Sequence, residues 1–487
     1  MLGKIKRLLF HNTSTRQTVT KNTIWLGISN IGGRLLRAII IVYSARLLGP
    51  SNWGVFSYTV TLAGFLTIFT DMGINPVLTR RIASGKTPEE RAQMLSTTFF
   101  VKMVLLSLSV VAIFFIGPML TSNVTARSLL PLIAFIFVFD TLREFGFSLI
   151  NALEKMQYQA GLYLLTNAAI VAFGFYFLHQ SPTVASLAYS YIAGTALGAV
   201  ATFFVLRKHF TQLLSRFNRK LVTHIFSLAW PFAISTLLGA LMLNTDILLL
   251  GWIRSAEEVG YYSSAQKIIQ LLYVLPTIIA VSVLPTFSRL ANQDNEKFRR
   301  ILERIVSVSL AIALPLAIGG YLLGDNLMQL LFGAQFIPAG LPFKILMLTM
   351  IIDFPAIILN NALFAYNRQK SLIVYTAIGG LSNVILDLIL IPKFGIAGSA
   401  IATLLAQCGS NIYLWRKMKS INQFSAWSHL TKTILSAGIM GIIVYLMNLL
   451  GIPVIITVAI GVLAYLSAAY VLKDPLFKEI RSIFHVG

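Results

Sequence analysis

The sequence predicts an all-α polytopic membrane protein of about fourteen transmembrane helices, arranged as two pseudo-symmetric six-helix lobes followed by two C-terminal helices. Three observations carry this reading. The chain is 56% hydrophobic and only 11% charged, where a soluble domain carries about 25% charge. Apolar runs of roughly 18 to 25 residues recur along it, each able to cross a hydrocarbon core of about 30 Å. The plan of the first half also returns in the second.

In order, the runs centre near residues 35, 66, 106, 139, 169, 195, 239, 274, 314, 353, 382, 405, 441 and 462, each bounded by charges or turn residues. Residues 1–23 hold Lys4, Lys6, Arg7, Arg16 and Lys21 around the short apolar patch Leu8-Leu9-Phe10. They lack a small-residue cleavage site and are expected to be a cytoplasmic amphipathic lead-in lying on an anionic surface, not a signal peptide. Span one ends at the turn cluster Leu48-Gly49-Pro50-Ser51-Asn52, and Trp53, Phe56 and Tyr58 anchor the start of span two, which Arg80 and Arg81 stop. The expected organisation is an N-terminal lobe over 24–210, a basic linker over 211–225, a C-terminal lobe over 226–418, two additional helices over 432–472 and a tail over 473–487.

The repeat rests on two echoes. Trp53-Gly54-Val55-Phe56-Ser57-Tyr58 lies over Val259-Gly260-Tyr261-Tyr262-Ser263-Ser264, an offset of 206, and Val184-Ala185-Ser186-Leu187-Ala188 lies over Ile396-Ala397-Gly398-Ser399-Ala400, an offset of 212. Six spans separate the copies, so the halves share one orientation and are related by an axis along the membrane normal.

The net charge of +22 has an address. With the N-terminus inside, 29 of the 39 Lys and Arg residues fall in segments on the cytoplasmic face, and only Arg46, Arg127, Arg254, Lys344 and Lys393 fall in the opposite loops. That asymmetry places both termini in the cytoplasm and assigns the charge to topology rather than to nucleic acid. The single cysteine, Cys408, sits in an apolar run and reads as a small packing residue.

Charge inside the spans is the functional signal, because a charged side chain at mid-helix costs about 2.5 to 3.5 kcal/mol on insertion scales. Asn30, Arg34 and Arg37 share one face of span one through their i, i+4, i+7 spacing. With Lys267 of span eight they would line a cationic chamber suited to an anionic cargo, Arg offering a planar fork to phosphate oxygens. The other reading pairs these bases with Asp71, Asp140 or Glu144, or lets them snorkel to a headgroup region. Lys102 and Arg143, and the polar Gln270, are weaker candidates for the same chamber. Asp246, Asp353 and Asp387 are positioned to take a coupling cation or proton, or to pair with bases; Asp71, just before Gly73, is placed to cap or brace a broken helix end. Pro231, Pro276, Pro315 and Pro355 each remove a backbone donor within or at the edge of a span and serve as kinks or as hinges.

Enzymatic chemistry has no visible seat. The sequence contains no phosphate-binding loop, no HExxH, no CxxC and no GxSxG, and its six histidines fall in loops or tails without metal-ligand spacing. No catalytic residue, metal or cofactor is expected.

Four stretches in register, residues 45–58 (ARLLGPSNWGVFSY), 71–83 (DMGINPVLTRRIA), 244–268 (NTDILLLGWIRSAEEVGYYSSAQKI) and 391–403 (IPKFGIAGSAIAT), resemble the polysaccharide exporter branch, the O-antigen flippase-like family, of the multidrug/oligosaccharidyl-lipid/polysaccharide exporter superfamily. The resemblance covers essentially the whole chain. It implies an inner-membrane transporter that moves undecaprenyl-pyrophosphate-linked oligosaccharide from the cytoplasmic to the periplasmic leaflet by alternating access, for O-antigen, capsule or exopolysaccharide synthesis. It carries the family's cationic cavity onto Arg34, Arg37 and Lys267, and its acid after the span-seven asparagine-threonine pair onto Asp246. A fuller set of cavity arginines has no match here. The implied partners are the lipid-linked glycan, the bilayer, and the polysaccharide polymerase and chain-length proteins.

Three rivals remain on the sequence alone. A multidrug/cation antiporter of the same superfamily calls for a less basic cavity, against Arg34 and Arg37. A lipid II-type flippase shares the pyrophosphate and is closer. A multispanning glycosyltransferase or polymerase calls for a large outer loop with catalytic residues, and the sequence has none of that size.

Overall fold

The computed structural model describes residues 15–85, 87–209, 213, 216–426 and 430–474. The expected lead-in over 1–14, part of the linker and the tail from 475 onward lie outside the described residues. Among the described residues the chain is helical without strands: α1 (Thr15–Asp71), α2 (Ile74–Ser84), α3 (Pro88–Phe115), α4 (Val124–Ala152), α5 (Met156–Gln180), α6 (Val184–Val205), α7 (Arg219–Ile253), α8 (Ala256–Leu272), α9 (Val274–Leu290), α10 (Asn295–Phe332), α11 (Gly340–Ala365), α12 (Gln369–Ile421), α13 (Thr431–Leu449) and α14 (Val454–Val471).

Twelve helical stretches among the described residues are long and apolar enough to cross a membrane, and two of these, Lys21–Ser84 and Gln369–Ile421, hold two crossings each. Helix α1 has 57 residues, about 85 Å at 1.5 Å per residue, nearly three times the hydrocarbon thickness. It breaks at Gly49, whose φ of 75° suits glycine, with Pro50 following. Helix α12 breaks the same way at Gly395, φ 57°. Counting each side of these breaks gives fourteen crossings, as hydropathy predicts. Span one starts as helix already at Thr15, so the last residues of the expected lead-in are continuous with it.

Span two and span eight are each interrupted. Span two breaks at Met72 and Gly73, both at positive φ, before Pro76. Span eight breaks at Tyr273, where Pro276 has no N–H to offer the carbonyl of Leu272. Capping boxes at Thr87/Glu90 and Ser255/Glu258 fix the starts of α3 and α8.

The chain forms two compact units, Met1–Ala240 and Leu241–Gly487, and the boundary falls within α7. In the first, Ile74, Leu78, Phe145, Phe147, Ile150 and Ala229 form a core joining α2, α4 and the start of α7. Helices α5 and α6 approach closely because Gly194 and Gly198 present no side chain: a Cβ at Gly194 would lie 2.8 Å from the backbone nitrogen of Ile170, and one at Gly198 would strike the Thr166 hydroxyl. Gly198→Leu is therefore expected to cost about 2 kcal/mol or more by overpacking, seen as a lowered unfolding temperature in detergent; an unchanged temperature would refute the close approach. In the second unit, Phe287, Phe298, Leu302, Leu359, Tyr366 and Leu414 join α9 to α12. Helices α13 and α14 pack on α10 through Leu323, Met440 and Val444, and the Tyr465 hydroxyl donates to the Ala311 carbonyl at 2.7 Å.

Candidate functional site

In the first unit, helix α1 lies tight on α5 because Gly33 leaves room for the ring of Tyr163; a Cβ there would collide with it. That contact puts Ile40 and Ser44 in the interior and turns Asn30, Arg34 and Arg37 onto the adjoining face. Asn30 is exposed and donates within its own helix to the Leu26 carbonyl at 2.8 Å. Arg34 is half-buried one turn on. Arg37 is exposed, and its Nε donates to Oδ1 of Asn167 at 3.3 Å. The Asn167 amide is itself oriented, because its Nδ2 donates to the Tyr163 carbonyl at 2.8 Å. Asn167 thus holds one edge of the Arg37 guanidinium and leaves the outer edge, with both terminal nitrogens, for an anion.

The other intramembrane charges of this unit are joined to one another. Lys102 is 1% exposed, and its Nζ meets Oδ1 of Asp71 and Oδ1 of Asn75, each at 2.7 Å. Asp71 also accepts from the Asn75 backbone N–H at 3.3 Å, bracing the break into α2. Arg143 is 2% exposed and pairs with Asp140 at 2.6 Å and Glu144 at 2.8 Å, its guanidinium 5.3 Å from the ring of Phe147. Removing one partner of a buried pair costs about 3 to 5 kcal/mol, so Lys102 secures α3 to the break between α1 and α2, while Arg143 is paired within α4. This pairing turns both bases inward and leaves three carboxylates partly exposed.

In the second unit Lys267 is half-buried on α8, and its Nζ donates to Oε1 of Gln270 at 3.4 Å. Two buried acid centres stand apart from it. At the first, Oδ2 of Asp246 accepts from the Tyr262 hydroxyl, from Oγ1 of Thr403 at 3.1 Å and from Nε2 of Gln266 at 3.4 Å. Asp387, fully buried, stands beside Asp246. The two carboxyls are within hydrogen-bonding reach of each other, so one proton can join them, and Ser399 stands beside Asp387. Asn383 lies one turn before Asp387, its Nδ2 3.5 Å from Thr403. At the second centre, Oδ2 of Asp353 accepts from the Tyr273 hydroxyl at 2.7 Å and Oδ1 from Nδ2 of Asn411 at 3.5 Å. Two adjacent carboxyls in a low-dielectric interior repel when ionised, and a cation or proton between them removes the repulsion. Among the described residues no group of three His, Cys, Asp or Glu side chains could hold a metal ion.

The structure therefore brings Asp246 together with Asp387, Asp71 with Lys102, and Arg34 with Arg37 on one face; Asp353 has its own centre. Sequence reasoning missed Asn167, Tyr262, Asn383, Thr403 and Asn411. A signal was present: Asn383 is one turn from Asp387, and Thr403, Gln407 and Asn411 are spaced i, i+4, i+8, an uncharged polar stripe within an apolar span.

The same arrangement of helices occurs in known proteins. The fold matches a lipid II flippase MurJ in an inward closed conformation with a TM-score of 0.78 over 93% of this chain and 99% of that one, at 20% identity. It matches an inward-facing multidrug resistance MATE family transporter with a TM-score of 0.62 at 13% identity, covering 81% of this chain and 94% of that one. In sequence, the chain is 25% identical to the probable low-salt glycan biosynthesis flippase Agl15 of Haloferax volcanii, over 80% of this chain and 81% of the relative. It is 22% identical to a putative O-antigen transporter of Shigella flexneri, over 79% and 94% of the two chains. A MatE family model matches residues 231–389, which hold both acid centres' α7, α8 and α11 members. The polysaccharide biosynthesis protein model matches residues 19–291, from the arginine stripe of span one through the interrupted span eight, and the chain belongs to that family.

Proposed function

We propose that this protein is a flippase that carries an undecaprenyl-pyrophosphate-linked oligosaccharide from the cytoplasmic to the outer leaflet for surface polysaccharide synthesis. The observation that carries the reading is the Arg34/Arg37 stripe, with Arg37 held at one edge by Asn167 and its fork left open. A pyrophosphate dragged through hydrocarbon needs such fixed cations, while the polyprenyl tail stays in lipid and the sugar in water. Lys267 is the second unit's candidate base. With both termini cytoplasmic, the cationic face is exposed first to the cytoplasm and then to the outside, in alternating access. A negative-inside potential drives the anion outward at about 2.3 kcal/mol per charge per 100 mV. The Asp246/Asp387 centre supplies a second drive by taking up a cation or proton. The polymerase and chain-length proteins of the pathway are the partners that would receive the exported unit.

The geometry favours this over a drug antiporter, since the charged side chains along this face of span one are basic. Reconstituted in proteoliposomes, the protein is expected to expose an undecaprenyl-pyrophosphate oligosaccharide to a sugar-cleaving enzyme on the far side, and faster than it exposes lipid II. Equal or faster movement of lipid II would reassign the cargo, and movement of neither lipid would remove the reading.

A further inference from the structure

Among the described residues, eight buried side-chain oxygens of the second unit lack a donor in hydrogen-bond geometry: seven carbonyl or carboxyl oxygens, Oδ1 of Asp246, Oε1 of Gln266, Oδ1 of Asn383, both of Asp387, Oε1 of Gln407 and Oδ1 of Asn411, and the hydroxyl of Ser399, which stands beside Asp387. Their positions follow a pattern. On α12, Thr403, Gln407 and Asn411 recur at i, i+4, i+8; Thr403 bonds Asp246 and Asn411 bonds Asp353. On α8 and its terminal residue, Tyr262, Gln266 and Tyr273 lie at i, i+4, i+11, again on one face. There Tyr262 bonds Asp246 and Tyr273 bonds Asp353. Two helices thus carry the same polar ladder between the same two acids, which lie about 12 to 16 Å apart along the helix axes, roughly half the hydrocarbon thickness.

We propose that these groups form a polar file through the second unit along which a small monovalent cation passes between the Asp246/Asp387 centre and Asp353. An unpaired buried acceptor costs about 1 to 3 kcal/mol, and the donors along the file are directed at its own carboxyls, which leaves little for an anion to bind. A cation, or a proton carried on water, is the ligand that such a row of oxygens suits. Asn411 is five residues, about 7.5 Å, before Arg416, so the Asp353 end of the file is the one nearer the basic loops. Gln407, 7% exposed, is the rung midway on α12 and touches neither acid in the hydrogen-bond pattern. The titratable groups along the file are Asp246, Asp387, Asp353, Tyr262, Tyr273, Tyr375 and Cys408, the last two standing near Asp353. The file rests on the cation-coupling part of the proposed function and adds a route and a second station to it.

The test uses the full-length protein in inside-out and right-side-out membrane vesicles. A lipid-soluble carbodiimide labels membrane carboxyls, and mass spectrometry follows Asp246 and Asp387. Sodium is stepped at fixed pH, or pH is stepped in choline medium, on the outer side only. Wild type is expected to change its labelling when one of these cations is added on the basic-loop side: sodium protects, whereas a proton speeds labelling because a carbodiimide adds to the protonated carboxyl, so the two arms identify which. In Gln407→Leu and in Asp353→Asn the onset of that change is expected to slow at least tenfold, with the full change still reached on long exposure; Gln407→Asn restores part of the rate. Unchanged onset in both variants overturns the file and leaves the Asp246/Asp387 centre standing. Wild type whose labelling neither cation changes removes the centre itself. Should Gln407→Leu not insert, Asp353→Asn decides alone.

Discussion

In the Arg34→Ala, Arg37→Ala double variant, flipping of the lipid-linked oligosaccharide is expected to fall at least about a hundredfold while the protein inserts and unfolds like wild type. In the proposed function each arginine would offer charge-assisted hydrogen bonds to pyrophosphate oxygens, worth about 1.5 to 3 kcal/mol apiece, and every 1.4 kcal/mol is tenfold. The fold is spared because α1 stays fixed to α5 by the Gly33 and Tyr163 contact one turn before Arg37, and the variant gives up only the single Arg37–Asn167 hydrogen bond, Arg37 being exposed and Arg34 half-buried. A double Lys variant keeps the charge and loses the planar fork, so an intermediate loss of about tenfold is expected. The measurement is the rate at which the sugar becomes accessible to a cleaving enzyme outside the vesicle. Wild-type flipping by the double Ala variant would discard the arginine stripe as the cargo site and leave the family assignment untouched.

The legible part of this molecule was whatever a single helix records about itself. Fourteen crossings could be read from apolar run length, including the two that end at Gly49 and Gly395, because a glycine close to a proline marks a turn in sequence as it does in space. The Asn30/Arg34/Arg37 stripe was legible because 3.6-residue periodicity alone places it. What lay hidden was partnership between helices. Lys102 reads in sequence like Arg37, a base in an apolar run, yet its ammonium is spent on Asp71 and Asn75, about thirty residues earlier. Its place near a cytoplasmic end ranks it below Arg37 and pairing with an acid such as Asp71 could be weighed from sequence, but the geometry of the pairing, with Asn75 as the second acceptor, depends on how α3 packs on the broken end of span two. Asp246 was visible as a buried acid, but Tyr262 and Thr403 looked like ordinary polar residues of their own spans until three helices brought them to one carboxyl. Tertiary packing assigns those roles, and hydropathy carries no record of it.

The Asp387→Asn variant gives the second large effect, and its sign separates a coupling site from a structural pair. Asp246 has three donors converging on one oxygen, whereas Asp387, fully buried beside it, has only Asp246 itself and the Ser399 hydroxyl as hydrogen-bonding neighbours. If the pair binds a cation, then saturating sodium, or acid in its place, stabilises wild type by mass action, by about 2.7 kcal/mol at a hundredfold excess over the dissociation constant. The neutral amide of the variant removes the second negative charge, so that stabilisation is expected to vanish. In cation-poor medium at neutral pH the same variant is expected to be at least as stable as wild type, because two adjacent carboxyls no longer repel. A merely structural Asp387 predicts the reverse, a less stable variant in every medium and an undiminished response to the cation. Thermal unfolding in detergent, with sodium set against choline and with pH varied in choline, reads both signs in one experiment. Transport should follow: wild type flips faster with the cation gradient imposed, and the variant retains only the part driven by membrane potential acting on the anionic cargo.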